Sequence, residues 1–142
     1  MATAVIDANF GVALVRLMPY TATCRNLIEQ WIRQKVTIAV PDLWDYEIVS
    51  ALHRLQTKKE IEREAVRAGI DLLFRLNLLH VPSDRQLAIA SIDWTERLGQ
   101  GSAYDAQYLA LSERLNAEFY TADRKLFHRC RQLGVSFVKM LE

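Results

Sequence analysis

Histidine, cysteine and long apolar runs are all scarce in this chain, and each scarcity excludes a class of protein. The three histidines, His53, His80 and His128, are scattered. Nothing therefore suggests a zinc centre or a histidine-based catalytic group. Cys24 and Cys130 sit in apolar helical patterns without metal-ligand spacing, so both are expected to be buried thiols in a reducing compartment. No apolar run approaches the roughly 18 residues of a membrane span. The opening MATAVIDANF meets Asp7 too early for a signal peptide, so the expected compartment is the cytoplasm. A net charge of only +1 leaves any charged partner to local patches. Internal repeats, low-complexity tracts and linkers are also missing. What remains is a 142-residue chain, 51% hydrophobic and 25% charged, expected to form one domain over residues 1–142 with a core needing no staples.

Short β-type runs alternate with helical patterns along the whole chain. Ala2–Ile6 is the first strand, and Phe10, Ala13, Leu14 and Leu17 then recur at helical spacing until Pro19. Thr23 is placed to start a second helix. Thr37–Val40 is the second strand, and Pro41 suits the first turn of a third helix anchored by Trp44, Ile48, Leu52 and Leu55. A fourth helix is expected from Lys59 to Leu76, with a solvated face of Glu60, Glu62, Arg63, Glu64 and Arg67. Leu78–Val81 is the third strand. Ser83-x-x-Gln86 reads as a capping box for a fifth helix ending at Gly99. Ser102 is placed to cap a sixth, which breaks at Asn116. Ala117–Thr121 is the fourth strand, Asp123 suits the N-cap of a last helix stopped by Gly134, and Val135–Met140 closes the chain as a fifth strand. Such alternation means a parallel sheet covered by helices on both faces.

Carboxylates fall where these elements end. Asp7 ends strand one, Asp123 ends strand four and Asp105 opens the helix before strand four. In the helix after strand two, Glu47 and Asp45 border opposite flanks of the apolar stripe, and periodicity does not choose between them. Each acid alone has a plain explanation as a helix cap or a solvated side chain. Together they mean more, because open α/β sheets place their chemistry at strand ends where the strand order reverses. If strands one and four are neighbours, the acids share one crevice. Crowded carboxylates repel, and a divalent cation resolves the conflict. All-oxygen donors without convergent His or Cys favour Mg²⁺ or Mn²⁺.

AVIDAN at 4–9, PDLWDYEIVSAL at 41–52, YDAQYLALSERLNAEFYTADRKL at 104–126 and VSFVKM at 135–140 together resemble a PIN domain, and within that family the VapC-like toxin ribonucleases. The third segment is the most specific, and the match covers essentially the whole chain in order. The resemblance implies an α/β fold whose five strands run in the order 3-2-1-4-5, which would make strands one and four neighbours. It assigns the metal-binding, catalytic acids to Asp7, Glu47, Asp105 and Asp123, preferring Glu47 to Asp45, with Asn9 and Thr121 as small polar neighbours. It further implies a Mg²⁺- or Mn²⁺-dependent endoribonuclease acting on RNA phosphodiesters, the toxin of a toxin–antitoxin pair, with a cognate antitoxin and a homodimer.

Arg124, Lys125, Arg129 and Arg131 are the expected RNA-phosphate contacts, since their helix begins at Asp123. The plain alternative is a solvated basic face. His128 is a further possible contact to the RNA backbone. Rival functions are a catalytically silent protein-binding module of the same fold and a metal-dependent nuclease acting on DNA. A phosphate-accepting receiver domain fits poorly, because its acceptor Asp would follow strand three, where this chain has Val81-Pro82-Ser83.

Overall fold

The computed structural model describes residues 2–142. Its elements are β1 (Thr3–Ile6), α1 (Ala8–Val15), α2 (Thr21–Gln34), β2 (Thr37–Pro41), α3 (Asp42–Thr57), α4 (Arg63–Phe74), β3 (Leu79–Val81), α5 (Arg85–Leu98), α6 (Tyr104–Leu115), β4 (Glu118–Thr121), α7 (Arg124–Gln132) and β5 (Val138–Met140). All four strand pairings are parallel, and the sheet order is β3-β2-β1-β4-β5. The chain enters at the central strand, builds outward to β3, then returns to lay β4 on the other side of β1. That reversal puts the ends of β1 and β4 side by side, with Ile6 in register with Tyr120.

Strand alternation explains how both faces are covered. Phe119 and Tyr120 are consecutive, so their rings leave β4 in opposite directions. Phe119 stacks on Tyr108 of α6, ring centroids 5.3 Å apart, while Tyr120 meets Trp31 of α2 edge-on at 5.0 Å. Trp31 in turn stacks on Phe10 of α1 at 5.7 Å. The inner strands β1 and β2 are mostly hydrophobic because neither face sees water there: Val5, Ile6, Ala39 and Val40 are all buried. Helix α1 crosses close to α3 at Gly11, where a methyl group would lie 2.7 Å from Ile48 Cδ1 and 3.0 Å from the Trp44 ring. The missing side chain lets the helix that follows Asp7 lie against the helix that carries Glu47.

Several boundaries differ from expectation for local reasons. Helix α4 starts at Arg63 rather than Lys59, because Lys59 takes a left-handed conformation (φ 59°) and its amide, with that of Glu60, closes the end of α3. Pro41 is the last residue of β2 and the extended residue before α3, not part of its first turn. Helix α2 begins two residues early, at Thr21, whose buried hydroxyl accepts from the Met18 amide and donates to the Ala13 carbonyl. Asp84, not Ser83, caps α5 by accepting from the Leu87 amide, while the Ser83 amide donates to Asp42. Ser102 does not cap α6, which starts after Ala103 with no side-chain cap. Strand β5 is confined to Val138–Met140, since the Val135 amide still donates back to Cys130 as α7 closes. No helix among the described residues is long and apolar enough to cross a membrane.

Candidate active site

Where β1 ends, Asp7 turns the chain into α1. Its Oδ1 accepts from the Phe10 amide at 3.0 Å and its Oδ2 accepts from the Thr121 hydroxyl at 2.7 Å. The Trp44 indole donates to the Asp7 carbonyl at 3.1 Å, tying the same corner to α3. Thr121, fully buried at the end of β4, also accepts from the Asp123 amide at 3.0 Å. One hydroxyl therefore joins the two strand ends. Asp123 caps α7 by accepting from the Leu126 amide at 3.0 Å.

Two helices supply the remaining acids. Glu47 projects from α3 and accepts from the Tyr108 hydroxyl at 2.5 Å, across 61 residues of sequence. Asp105 lies in the first turn of α6 but caps nothing; it accepts from the Gln100 amide group at 2.9 Å. Asp7, Glu47, Asp105 and Asp123 line one cleft of about 540 Å³, together with Asn9, Thr121 and Tyr108. Asp45 lies elsewhere, bonded at 3.0 Å to His80 on β3. The alternative that helix periodicity left open is thus separated by placement: Glu47 faces the cleft and Asp45 does not.

The electrostatics show a strained anionic pocket. Burial pushes the Asp7 carboxyl up to about 6; the Thr121 and Phe10 hydrogen bonds pull it back, and Glu47 and Asp123 push it further up. Burial also raises Glu47, the Tyr108 bond opposes the rise, and Asp105 adds to it. The acids therefore feel one another through the cleft. Among the described residues, no three acids, imidazoles or thiols are already gathered as if around an ion, since each carboxylate is held by its own partner. In donor chemistry the set still fits a hard divalent cation, being all carboxylate oxygen with mutual repulsion to relieve.

The basic residues expected to meet RNA lie outside the cleft. Arg124 and Lys125 are exposed on the first turn of α7, and neither lines it. Arg129 donates to the Leu98 carbonyl at the end of α5 at 3.2 Å, and Arg131 lies over the Phe127 ring. His128 is exposed beside the same ring. The cationic side chain that does line the cleft is Arg54 of α3, joined by Tyr46 and Tyr104. Tyr108, the partner of Glu47, was unforeseen in that role. The available signal was positional: Tyr108 stands one helical turn after Asp105, and Arg54 two turns after Glu47.

A parallel sheet in this order, with four acids at its β1/β4 switch point, defines a PIN domain. The family pattern matches residues 4–132, and the chain belongs to the PIN domain family. It is 36% identical over 87 residues to ribonuclease VapC9 of Mycobacterium tuberculosis, a match covering 61% of this chain and 65% of that protein. The chain thus spans just under two-thirds of that curated relative. Among solved structures it resembles VapBC2 from Rickettsia felis bound to a DNA fragment from their promoter (TM-score 0.71, 15% identity, 99% of each chain). It also resembles a toxin–antitoxin complex from Klebsiella pneumoniae (TM-score 0.69, 15% identity, 98% of each chain). Identity at that level speaks to the fold.

Proposed function

We propose that this protein is a Mg²⁺- or Mn²⁺-dependent endoribonuclease, the toxin of a toxin–antitoxin pair, with Asp7, Glu47, Asp105 and Asp123 as metal-binding, catalytic acids. The observation that carries this reading is the convergence of four carboxylates, from four different elements, on one cleft at the β1/β4 switch point. The name of the VapC9 relative supports RNA as substrate, and the Klebsiella complex supports an antitoxin partner. Exposed Val49 on α3, with Ile89 and Ile92 on α5, offers apolar surface to that partner or to a second copy of the chain.

A bound divalent cation would supply the positive charge that offsets carboxylates and phosphate oxygens, and would lower the pKa of water. The protein's part is to hold its acids ready. Thr121 fixes one oxygen of Asp7 and the Phe10 amide fixes the other, so that carboxylate cannot swing. Tyr108 steadies Glu47, and its ring is itself locked against Phe119. Asn9 adds a neutral polar group beside Asp7. None of the three histidines lines the cleft, so no imidazole stands ready as a general base.

Purified protein incubated with structured and unstructured RNAs, in Mg²⁺, Mn²⁺ or EDTA, tests the reading. Cleavage is expected only with metal, leaving a 5′-phosphate, because water attack at phosphorus expels the 3′-oxygen. A 2′,3′-cyclic phosphate product, or full activity in EDTA, would show that the 2′-hydroxyl is the nucleophile and overturn it.

A further inference from the structure

Four carboxylates can hold a metal, but they leave a polyanionic substrate without a handle. Arg54 is the one Lys, Arg or His side chain among the described residues that lines the cleft. It is exposed and makes no ion pair or side-chain hydrogen bond within the described residues. Four other arginines are tied up elsewhere, Arg16 with Glu60, Arg114 with Asp84, Arg97 with Leu133 and Trp94, and Arg129 with Leu98; what sets Arg54 apart is its place in the cleft.

Two large aromatic side chains share that lining. Tyr46 is 72% exposed and Tyr104 62% exposed, while Tyr108 in the same cleft is buried. Each exposed tyrosine directly precedes an acid of the site: Tyr46 before Glu47, Tyr104 before Asp105. On a helix, adjacent residues point about 100° apart, so each ring flanks its acid rather than covering it. Tyr46, Ser50 and Arg54 follow at intervals of four along one face of α3, a stripe about 12 Å long that all lines the cleft. Hydroxyl-bearing aromatic rings left in water beside an unpaired guanidinium match the chemistry of a nucleotide, a flat π-face next to a phosphate.

We propose that Tyr46, Tyr104 and Arg54 form a nucleotide subsite flanking the scissile phosphate, the tyrosines stacking on bases and Arg54 binding a neighbouring phosphate. This rests on the ribonuclease reading and adds to it the residues that hold the nucleotides beside the cut. Rings that need an exposed base face select unpaired RNA, in single strands or loops, over duplex. Stacking tolerates every base, so the subsite sets strandedness rather than sequence.

The test is fluorescence anisotropy in EDTA, where nothing is cut, with a labelled single-stranded RNA of about ten nucleotides and a duplex of equal length. Tyr46→Ala and Tyr104→Ala are each expected to weaken single-strand binding by about five- to a hundredfold, with the salt slope unchanged. Tyr46→Phe should bind like wild type. Arg54→Gln should flatten the slope of log affinity against log salt by about 0.7, and Arg54→Lys should restore it. All three side chains are exposed, and matching thermal melts check that each of the five variants is folded. Wild-type affinity in both Tyr→Ala variants, or no binding of the single strand by wild type, overturns the subsite. So does a change of oligomeric state in Tyr46→Ala by light scattering, which would assign the ring to a protein contact. Metal-dependent cleavage is scored separately on the wild type, so failure of the subsite and failure of the nuclease reading are told apart.

Discussion

Asp7 and Asp84 open helices in the same way, yet the protein treats their charges in opposite ways. Asp7 accepts from the Phe10 amide at 3.0 Å to start α1, and Asp84 accepts from the Leu87 amide at 2.8 Å to start α5. Asp7 is buried beside Glu47 and Asp123, and its carboxyl is pushed up to about 6. Asp84 stands in solvent with both oxygens on Arg114 at 2.8 Å, and that guanidinium holds its carboxyl down at about 2. A capping bond is therefore silent about function. What separates a structural acid from a site acid is whether its other neighbours cancel the charge or compound it.

Asp7→Asn should break the comparison hardest. Asn caps helices about as well as Asp, and Thr121 can accept from the new amide in place of donating to the lost oxygen. Cleavage should fall by at least about a hundredfold, more than losing a supporting group costs at metal sites. The metal-free variant should meanwhile be more stable than wild type at pH 7, by about 3 kcal/mol, the value of a carboxyl raised from 3.8 to about 6. Wild type should gain about 2.7 kcal/mol at Mn²⁺ a hundred times its dissociation constant, and the variant should lose most of that gain. Thermal melts with EDTA and with Mn²⁺ decide it; a full Mn²⁺ shift in Asp7→Asn would return Asp7 to the role of Asp84.

Tyr108→Phe asks the same question of a group that supports an acid. The ring keeps its stacking on Phe119 and loses only the hydroxyl that holds Glu47. The Mn²⁺ concentration for half-maximal stabilisation should rise about 10- to 100-fold, with cleavage recovering at high Mn²⁺. Asp45→Asn on the same helix should move neither, because Asp45 is bonded to His80 outside the cleft. An unchanged Mn²⁺ midpoint in Tyr108→Phe would mean that Glu47 needs no positioning.

The legible part of this molecule was what depends on pattern along the chain. Strand–helix alternation and buried apolar runs are local, and the family resemblance supplied the sheet order that the structure has. The crowding of acids at the β1/β4 reversal followed once that order made strands one and four neighbours. Partners set by side-chain direction were not legible. Nothing in the spacing says that Tyr108 will reach Glu47, 61 residues away, or that Arg129 will turn back to the Leu98 carbonyl. Ser102 was placed to cap α6, but Ala103 holds that place and no side chain caps the helix. Ser83 and Asp84 are both good caps, and the choice fell to Asp84, which also has Arg114 opposite it. Charge on α7 marks candidate RNA contacts outside the cleft, and the cation that lines the cleft itself is Arg54 of α3.

The smallest expected effect, that of Asp84→Asn, sharpens the comparison when set beside Asp7→Asn, because the test then concerns sign rather than size. Asp7 has a folded-state pKa above its ordinary value, so between pH 3.8 and about 6 the native protein holds a proton that the unfolded chain releases. Its contribution therefore falls as pH rises through that window. Glu47, raised for the same reason, adds to the slope, so Asp7→Asn should reduce it without abolishing it. Asp84 has a depressed pKa, so its stabilisation is present above pH 3.8 and is lost as pH falls towards about 2. Asp84→Asn keeps the cap and loses only the Arg114 pair. It should lower stability slightly at neutral pH, by less at high salt, and leave the slope between pH 4 and 6 untouched. Urea unfolding of metal-free wild type and both variants from pH 2 to 7 reads all of this as difference curves. The Asp7→Asn difference should grow with pH and be stabilising; the Asp84→Asn difference should be destabilising and vanish in acid. Two difference curves of the same sign would mean that the acids are not held in opposed environments, and the contrast between the two helix openings would fail.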